Sequence, residues 1–255
     1  ASGYAENNAN TRTYVDWTFR KASKFFDVVT YTGNGTAGRQ IAHNLGTTVG
    51  MLVVKSTSHA TSWKVQHRST GATNALELND TRGSNDVSTA FWNDTAASST
   101  HFTVGTDSGV NTSGRTYVAY LFAHNNNDGG FGPDSDQDII KCGSFTKGDT
   151  GVTNFINVDL GFEVQFLLTK STADENWDIY DVQRGMSLTQ AKPIRPNLSS
   201  AEGNFASRYI HPTPNGFAYQ DNNASTYIYM AIRRGPLAAP DDATKVFTPV
   251  LGDGS

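Results

Sequence analysis

Cysteine is almost missing from this chain. One residue, Cys142, stands among 255, which excludes an intrachain disulfide and any cysteine-rich metal centre. A lone thiol of this kind reads as a small buried hydrophobe rather than a nucleophile. Charge is scarce as well. Only 17% of residues are Asp, Glu, Lys or Arg, the net charge is −4, and no basic block occurs. The electrostatic footprint of a nucleic-acid-binding protein is therefore missing, and no nucleic acid is expected as a partner. No apolar run reaches membrane-spanning length and the opening residues hold no signal-peptide core, so membrane insertion is not expected either. H-E-x-x-H, C-x-x-C and G-x-S-x-G are all absent, and the expectation is no catalytic residues, no metal and no cofactor.

What is abundant points one way. Glycine numbers 24, aromatics make up 11%, and asparagine and threonine are frequent. Turn formers and aromatics with few charges favour an all-β chain. The strongest pattern is a strand-like heptad that occurs three times: Tyr-Val-Asp-Trp-Thr-Phe-Arg at 14–20, Tyr-Val-Ala-Tyr-Leu-Phe-Ala at 117–123, and Tyr-Ile-Tyr-Met-Ala-Ile-Arg at 227–233. Strand side chains alternate between faces. One face then carries Val15, Trp17 and Phe19, next Val118, Tyr120 and Phe122, and last Ile228, Met230 and Ile232. A constant large apolar face marks the same core strand of a repeated unit.

Other phrases repeat at an offset of roughly 110–115 residues, the length of an ordinary β-sandwich domain. Met51-Leu52-Val53-Val54-Lys55-Ser56-Thr57 matches Phe166-Leu167-Leu168-Thr169-Lys170-Ser171-Thr172, Trp63 matches Trp177, and Asp27-Val28-Val29-Thr30-Tyr31 matches Asp138-Ile139-Ile140-Lys141-Cys142. The expected fold class is all-β, with two tandem antiparallel β-sandwich modules of jelly-roll or lectin-like type. Residues 1–24 form an N-terminal arm ending in an orphan strand, 25–126 the first module, 127–137 a Gly-, Asn- and Pro-rich linker, 138–236 the second module, and 237–255 an extended C-terminal tail.

Three motifs carry a sharper alternative. Gly33-Asn34-Gly35-Thr36-Ala37-Gly38 fits G-x-G-x-x-G, but no helical period follows it, as a dinucleotide site requires. Its second copy, from Gly143, has lost the pattern, so a hairpin loop is the reading. Asp134, Asp136 and Asp138 alternate like the start of a calcium loop, yet lack the glycine and the terminal glutamate of an EF-hand. Trp63 and Trp177 share one repeat position. Both read as core tryptophans; the alternative is a carbohydrate-stacking site made of Trp63 with Arg68, and of Trp177 with Tyr180 and Arg184. The polar residues beside them, Lys64 and Gln66 against Asp178 and Tyr180, diverge, which fits a plain solvent face or different contacts in the two modules.

The phrases from Tyr14 to Gly35, Ile41 to Gly46, Tyr117 to Asn125, Ile139 to Thr146 and Tyr227 to Pro236 resemble a repeat module of marine tailed-phage (cyanophage-type) virion structural proteins, often found downstream of concanavalin-A-like lectin domains. Such proteins carry more chain ahead of the first strand. The resemblance covers about residues 14–236 and implies a virion location, other virion proteins as partners and no known catalytic residues. The function it implies is a non-enzymatic phage virion structural protein, a tail fibre or spike component or a capsid decoration, contributing to host-surface attachment. The alternative is a carbohydrate-binding adhesin or a depolymerase, with a host-surface glycan as ligand. Val15, Trp17 and Phe19 need a cover, since an exposed apolar strand edge is sticky. An upstream module, a sheet of this chain, or a neighbouring subunit of a homo-oligomer could supply it; strand addition in a homo-oligomer is the favoured one.

Overall fold

The computed structural model describes residues 14–84, 87–148, 154–186, 191–203 and 208–235. The first thirteen residues of the arm and the tail at 237–255 lie outside them. The described residues are all-β, 43% strand and 2% helix. A five-stranded antiparallel sheet contains β1 (Phe26–Thr32), β3 (Val49–Ser56), β4 (Lys64–His67), β5 (Leu76–Glu77) and β7 (Thr116–Ala123), in the order β1-β7-β3-β4-β5. A two-stranded ribbon pairs β2 (Arg39–Ala42) with β6 (His101–Val104). A four-stranded sheet takes β8 (Ile140–Lys147), β10 (Val164–Ser171), β11 (Trp177–Asp181) and β14 (Ser225–Arg233), in the order β11-β10-β14-β8. Finally, β9 (Ile156–Asp159), β12 (Tyr209–Thr213) and β13 (Gly216–Gln220) form a three-stranded sheet ordered β12-β13-β9.

Period two divides the side chains of the large sheets between two cores. In the four-stranded sheet Ile140, Cys142, Phe166, Leu168, Trp177, Ile228 and Met230 join the core of the five-stranded sheet. Their neighbours Phe145, Leu167, Tyr180, Tyr227, Tyr229 and Ala231 join Leu160, Ile210, Phe217 and Tyr219, which belong to the three-stranded sheet and the turn beside it. The two large sheets therefore pack on each other, and the molecule is a stack of four layers: ribbon, five-stranded sheet, four-stranded sheet, three-stranded sheet. This explains why β3 and β10 read as near-continuous apolar runs. Each is covered on both faces, and Val49–Val54 and Phe166–Ser171 are buried throughout.

Polar ties cross the central seam. The His67 imidazole meets the Tyr229 carbonyl at 3.0 Å, Arg68 donates to the Cys142 carbonyl at 3.3 Å, and the Ser84 N–H donates to the Thr172 carbonyl at 2.9 Å. Cys142 lies so close to Gly50 that a Cβ there would stand 2.6 Å from its sulfur. Between the halves, Asn125 receives the Ile139 and Ile140 N–H groups at 3.0 and 3.2 Å, and Asp138 receives those of Asn127 and Gly129 at 2.9 and 3.0 Å. The segment read as a linker thus carries its own hydrogen-bonded turn.

Three expectations need correction. First, residues 14–20 alternate as expected, with Val15, Trp17 and Phe19 half-buried and Asp16, Thr18 and Arg20 exposed, but they join no ladder. They form a strap rather than a strand. Trp17 packs edge-on against Phe166 at 5.8 Å, and Phe19 meets Phe26, Phe122 and Phe166 at 5.7, 5.4 and 5.8 Å. Alternation records which side chains meet apolar surface; it does not say where the backbone hydrogen bonds go. The cover is this chain's own pair of large sheets.

Second, the ladders place Val28 opposite Tyr120 and Cys142 opposite Met230. Cys142 therefore corresponds to Val28, three residues from the match with Tyr31. Third, the polar side of β4 is no solvent face. Lys64 and Gln66 are buried. Above them sits α1 (Thr89–Trp92), a single turn capped by Ser88 and ended by Asn93 at φ 52°. The Lys64 ammonium lies 4.5 Å above the Phe91 ring and pairs with Glu77 at 2.5 Å.

Candidate functional site

Two concavities collect side chains of interest. The first is an aromatic groove of about 510 Å³. Its geometry follows from the register of the five-stranded sheet. The row Phe26, Phe122, Met51, His67 is one set of cross-strand partners, and the next row on the same face is Val28, Tyr120, Val53, Val65. The four-stranded sheet and the strap cover the first row, while the second stays partly open. Val28, Val53 and Tyr120 form its floor, Trp63 and Leu78 close one side, and Trp17 and Phe19 of the strap close the other. Trp63, Tyr120 and Phe26 stand nearly parallel, with 19° between the first two rings and 10° between the last two, at centroid distances of 6.3 and 6.4 Å.

The second concavity is a polar cleft of about 490 Å³. It is built from the turn after β10 (Asp174, Glu175, Asn176), the turn between β13 and β14 (Asp221, Asn222, Asn223), Arg195, Arg208, and Thr81 from the first half of the chain. Its floor is an ion network. Arg208 pairs with Asp178 on one side and Asp221 on the other, while Arg195 Nε donates to the other Asp178 oxygen at 2.8 Å. Asp221 also accepts the hydroxyls of Tyr219 and Tyr227 at 3.1 and 3.2 Å. Burial of these carboxylates is tolerated because they are paired and hydrogen-bonded. At the rim, burial raises the pKa of Glu175 although Arg208 opposes the shift. Nearby Lys170, buried and donating to the Ser171 and Ala173 carbonyls at 2.7 Å each, is pushed down to about 8 by desolvation.

The candidate carbohydrate residues are not brought together. Trp63 lines the aromatic groove, but Arg68 lies five extended residues on, roughly 16 Å away, in a separate hollow beside Gly50 and His67. Trp177 and Tyr180 are 1% and 0% exposed and present no ring face to a ligand. Adjacent parities on β11 send them to different cores, Trp177 to the central one and Tyr180 to the outer one. Arg184 stacks on Trp17 at 5.4 Å and pairs with Asp181 at 3.2 Å, so it belongs to the strap. The Asp134–Asp138 run gathers no ion site: among the described residues no group of three His, Cys, Asp or Glu could hold a metal, and Asp138 is engaged by two backbone amides and by Lys141 at 3.3 Å.

The cleft residues Glu175, Asp178, Arg195, Arg208, Asp221 and Asn223 were not singled out from the sequence. One signal was there. Asp178 falls where Lys64 falls, next to a tryptophan on a strand with buried neighbours, and a charge at such a position demands a partner.

The family described as "Domain of unknown function (DUF7483)" matches residues 1–236, and the chain belongs to it. That one match runs through the strap and both large sheets. No curated protein and no solved structure matches the chain.

Proposed function

We propose that the chain is a non-enzymatic structural component of a tailed-phage virion, a tail fibre or spike element or a capsid decoration, assembled as a homo-oligomer with other virion proteins and contributing to host-surface attachment. The resemblance of its strand phrases to such proteins supports this. So does the architecture, four β-layers tied across their seam by hydrogen bonds and by an aromatic strap, which suits a particle surface. We read the body as two tandem copies of one lectin-like module. The order β1-β7-β3-β4 in one large sheet and β8-β14-β10-β11 in the other, each backed by a ribbon containing β2 and β6 or β9 and β13, supports that duplication. Asp178 and Asp221 are both engaged by Arg208, so this pair does not offer the two free facing carboxylates that a glycosidase uses.

The observation that carries the attachment role is the groove. Trp63 and Tyr120 stand half-buried on a sheet face that is otherwise packed, and an apolar patch left open on a well-packed body marks an interaction surface. Mass spectrometry of gradient-purified particles of the encoding phage tests the virion role. The polypeptide is expected among the structural proteins at stoichiometric abundance; its presence in the lysate but absence from particles would overturn the reading.

The parallel rings favour a second, narrower reading, a carbohydrate-binding adhesin in which the apolar face of a sugar ring stacks in the groove. Trp63→Ala is expected to abolish binding to host-surface polysaccharide while the protein still melts as a folded body. Undiminished binding by that variant would remove the groove from consideration.

A further inference from the structure

We propose that the polar cleft beside Arg208 is a separate binding site for a neutral saccharide. It does not rest on the aromatic groove, because no groove residue lines it.

The chemistry of the lining sets the ligand class. Most small-molecule pockets are apolar with a few polar groups; here the wall is made of carboxylates, guanidinium groups and carboxamides. A carboxylate only accepts hydrogen bonds, a guanidinium only donates, and a carboxamide does both. A ring of hydroxyls, each donor and acceptor, matches that mixture, whereas an apolar ligand would leave the wall desolvated and unpaired. The charge balance narrows the class further. Asp174, Glu175 and Asp221 line the cleft against Arg195 and Arg208, an excess of negative charge that disfavours phosphate, sulfate and uronate groups.

The site is also pre-formed. Arg208 is clamped between Asp178 and Asp221, and Asp174 is anchored to the first half by the Gly83 N–H at 2.7 Å. A floor already ordered saves the cost of ordering it on binding. Glu175 is the group left with capacity. Its Oε1 accepts from the Asn223 amide at 2.9 Å, while Oε2 stands 3.7 Å from Arg208, beyond hydrogen-bonding distance. A carboxylate offers about four lone-pair sites, so Glu175 and Asn223 together present an acceptor beside a carboxamide at the mouth of the cleft. Vicinal hydroxyls of a pyranose fit that pair.

Ligand-observed NMR and titration calorimetry on the full chain test the proposal, with glucose, galactose, mannose, N-acetylglucosamine and lactose as probes, and glucuronate and spermidine as charged controls. At least one neutral sugar is expected to bind. Glu175→Gln and Asn223→Ala should each weaken it about tenfold or more, as loss of a hydrogen bond to a charged group does, with melting temperatures near that of the parent. Gly148→Ala, at a residue that lines neither concavity, should leave this binding unchanged, and loss through Glu175→Gln assigns the binding to the cleft rather than the groove. The proposal is overturned if no neutral sugar binds, if only glucuronate or spermidine binds, or if sugar binding survives both cleft variants.

Discussion

Trp177 donates its indole N–H to the backbone carbonyl of Glu77, 2.8 Å away and 100 residues earlier in the chain. Glu77 in turn pairs through its side chain with Lys64. The tryptophan that repeats Trp63 has thus been drawn into the seam between the large sheets, while Trp63 itself borders a groove. Replacing Trp177 with Ala removes both the ring and the donor and should cost roughly 3–5 kcal/mol in stability by chemical denaturation. Trp177→Phe keeps most of the packing and should lose less. A Trp177→Ala protein with the parent's unfolding midpoint would show that the seam does not depend on this residue.

Gly50 is required by proximity. A Cβ there would lie 2.6 Å from the Cys142 sulfur and 2.8 Å from the Ala123 carbonyl oxygen. Gly50→Ala is therefore expected to destabilise the fold by about 1–3 kcal/mol through overpacking. Gly148→Ala is the control, since nothing lies within 4 Å of its added Cβ; that change should be close to neutral. Equal urea midpoints for the two variants would contradict the close approach of the sheets.

Two histidines make the seam sensitive to acid. His67 accepts the Ser69 N–H on Nδ1 at 3.2 Å and faces the Tyr229 carbonyl with Nε2 at 3.0 Å, so the neutral ring with its proton on Nε2 fits. His124 Nδ1 accepts the Cys142 N–H at 3.2 Å. Burial pushes both down to about 4, and the nearby Arg68 charge adds to this. The unfolded chain titrates near 6.5. Between those values the unfolded state binds more protons, so stability is full above about pH 6.5 and falls as the pH drops towards 4. Melting temperature should decline over that window, less steeply for His67→Gln. A flat profile from pH 7 to 4.5 would contradict the assignment.

The buried charges of the cleft depend on one another. Arg208→Met leaves Asp221 buried without a cation and Asp178 with Arg195 alone, and should cost about 3–5 kcal/mol. Adding Asp178→Asn and Asp221→Asn to it removes the stranded charges and should recover much of that loss. If the triple variant is no more stable than Arg208→Met, the carboxylates are not the source of the penalty.

Much of the fold could be read from residue order. Repeated strands and buried apolar runs such as Val49–Val54 announce sheets, and a helix of four residues leaves no periodic trace. The alternation of Val15, Trp17 and Phe19 identified the side chains that are covered; the backbone pairing it implied does not exist, because side-chain period carries no information on ladder partners. The candidate site was harder to read. Asp178, Arg208 and Asp221 lie in different strands and turns, and only the folding of β11, β12 and β13 into adjacent layers brings them together. Arg68 illustrates the opposite error. Near Trp63 in sequence, it is distant in space because a strand extends about 3.3 Å per residue.

The strap has a consequence for the order in which the molecule is made. Residues 14–20 are synthesised about 150 residues ahead of Phe166 and Arg184, on which Trp17 rests. During that interval Trp17 and Phe19 have only half of their seat. The strap can therefore close over both large sheets only after β10 and Arg184 have been made, and a nascent chain interrupted before β10 exposes the same aromatic residues that seal the finished protein.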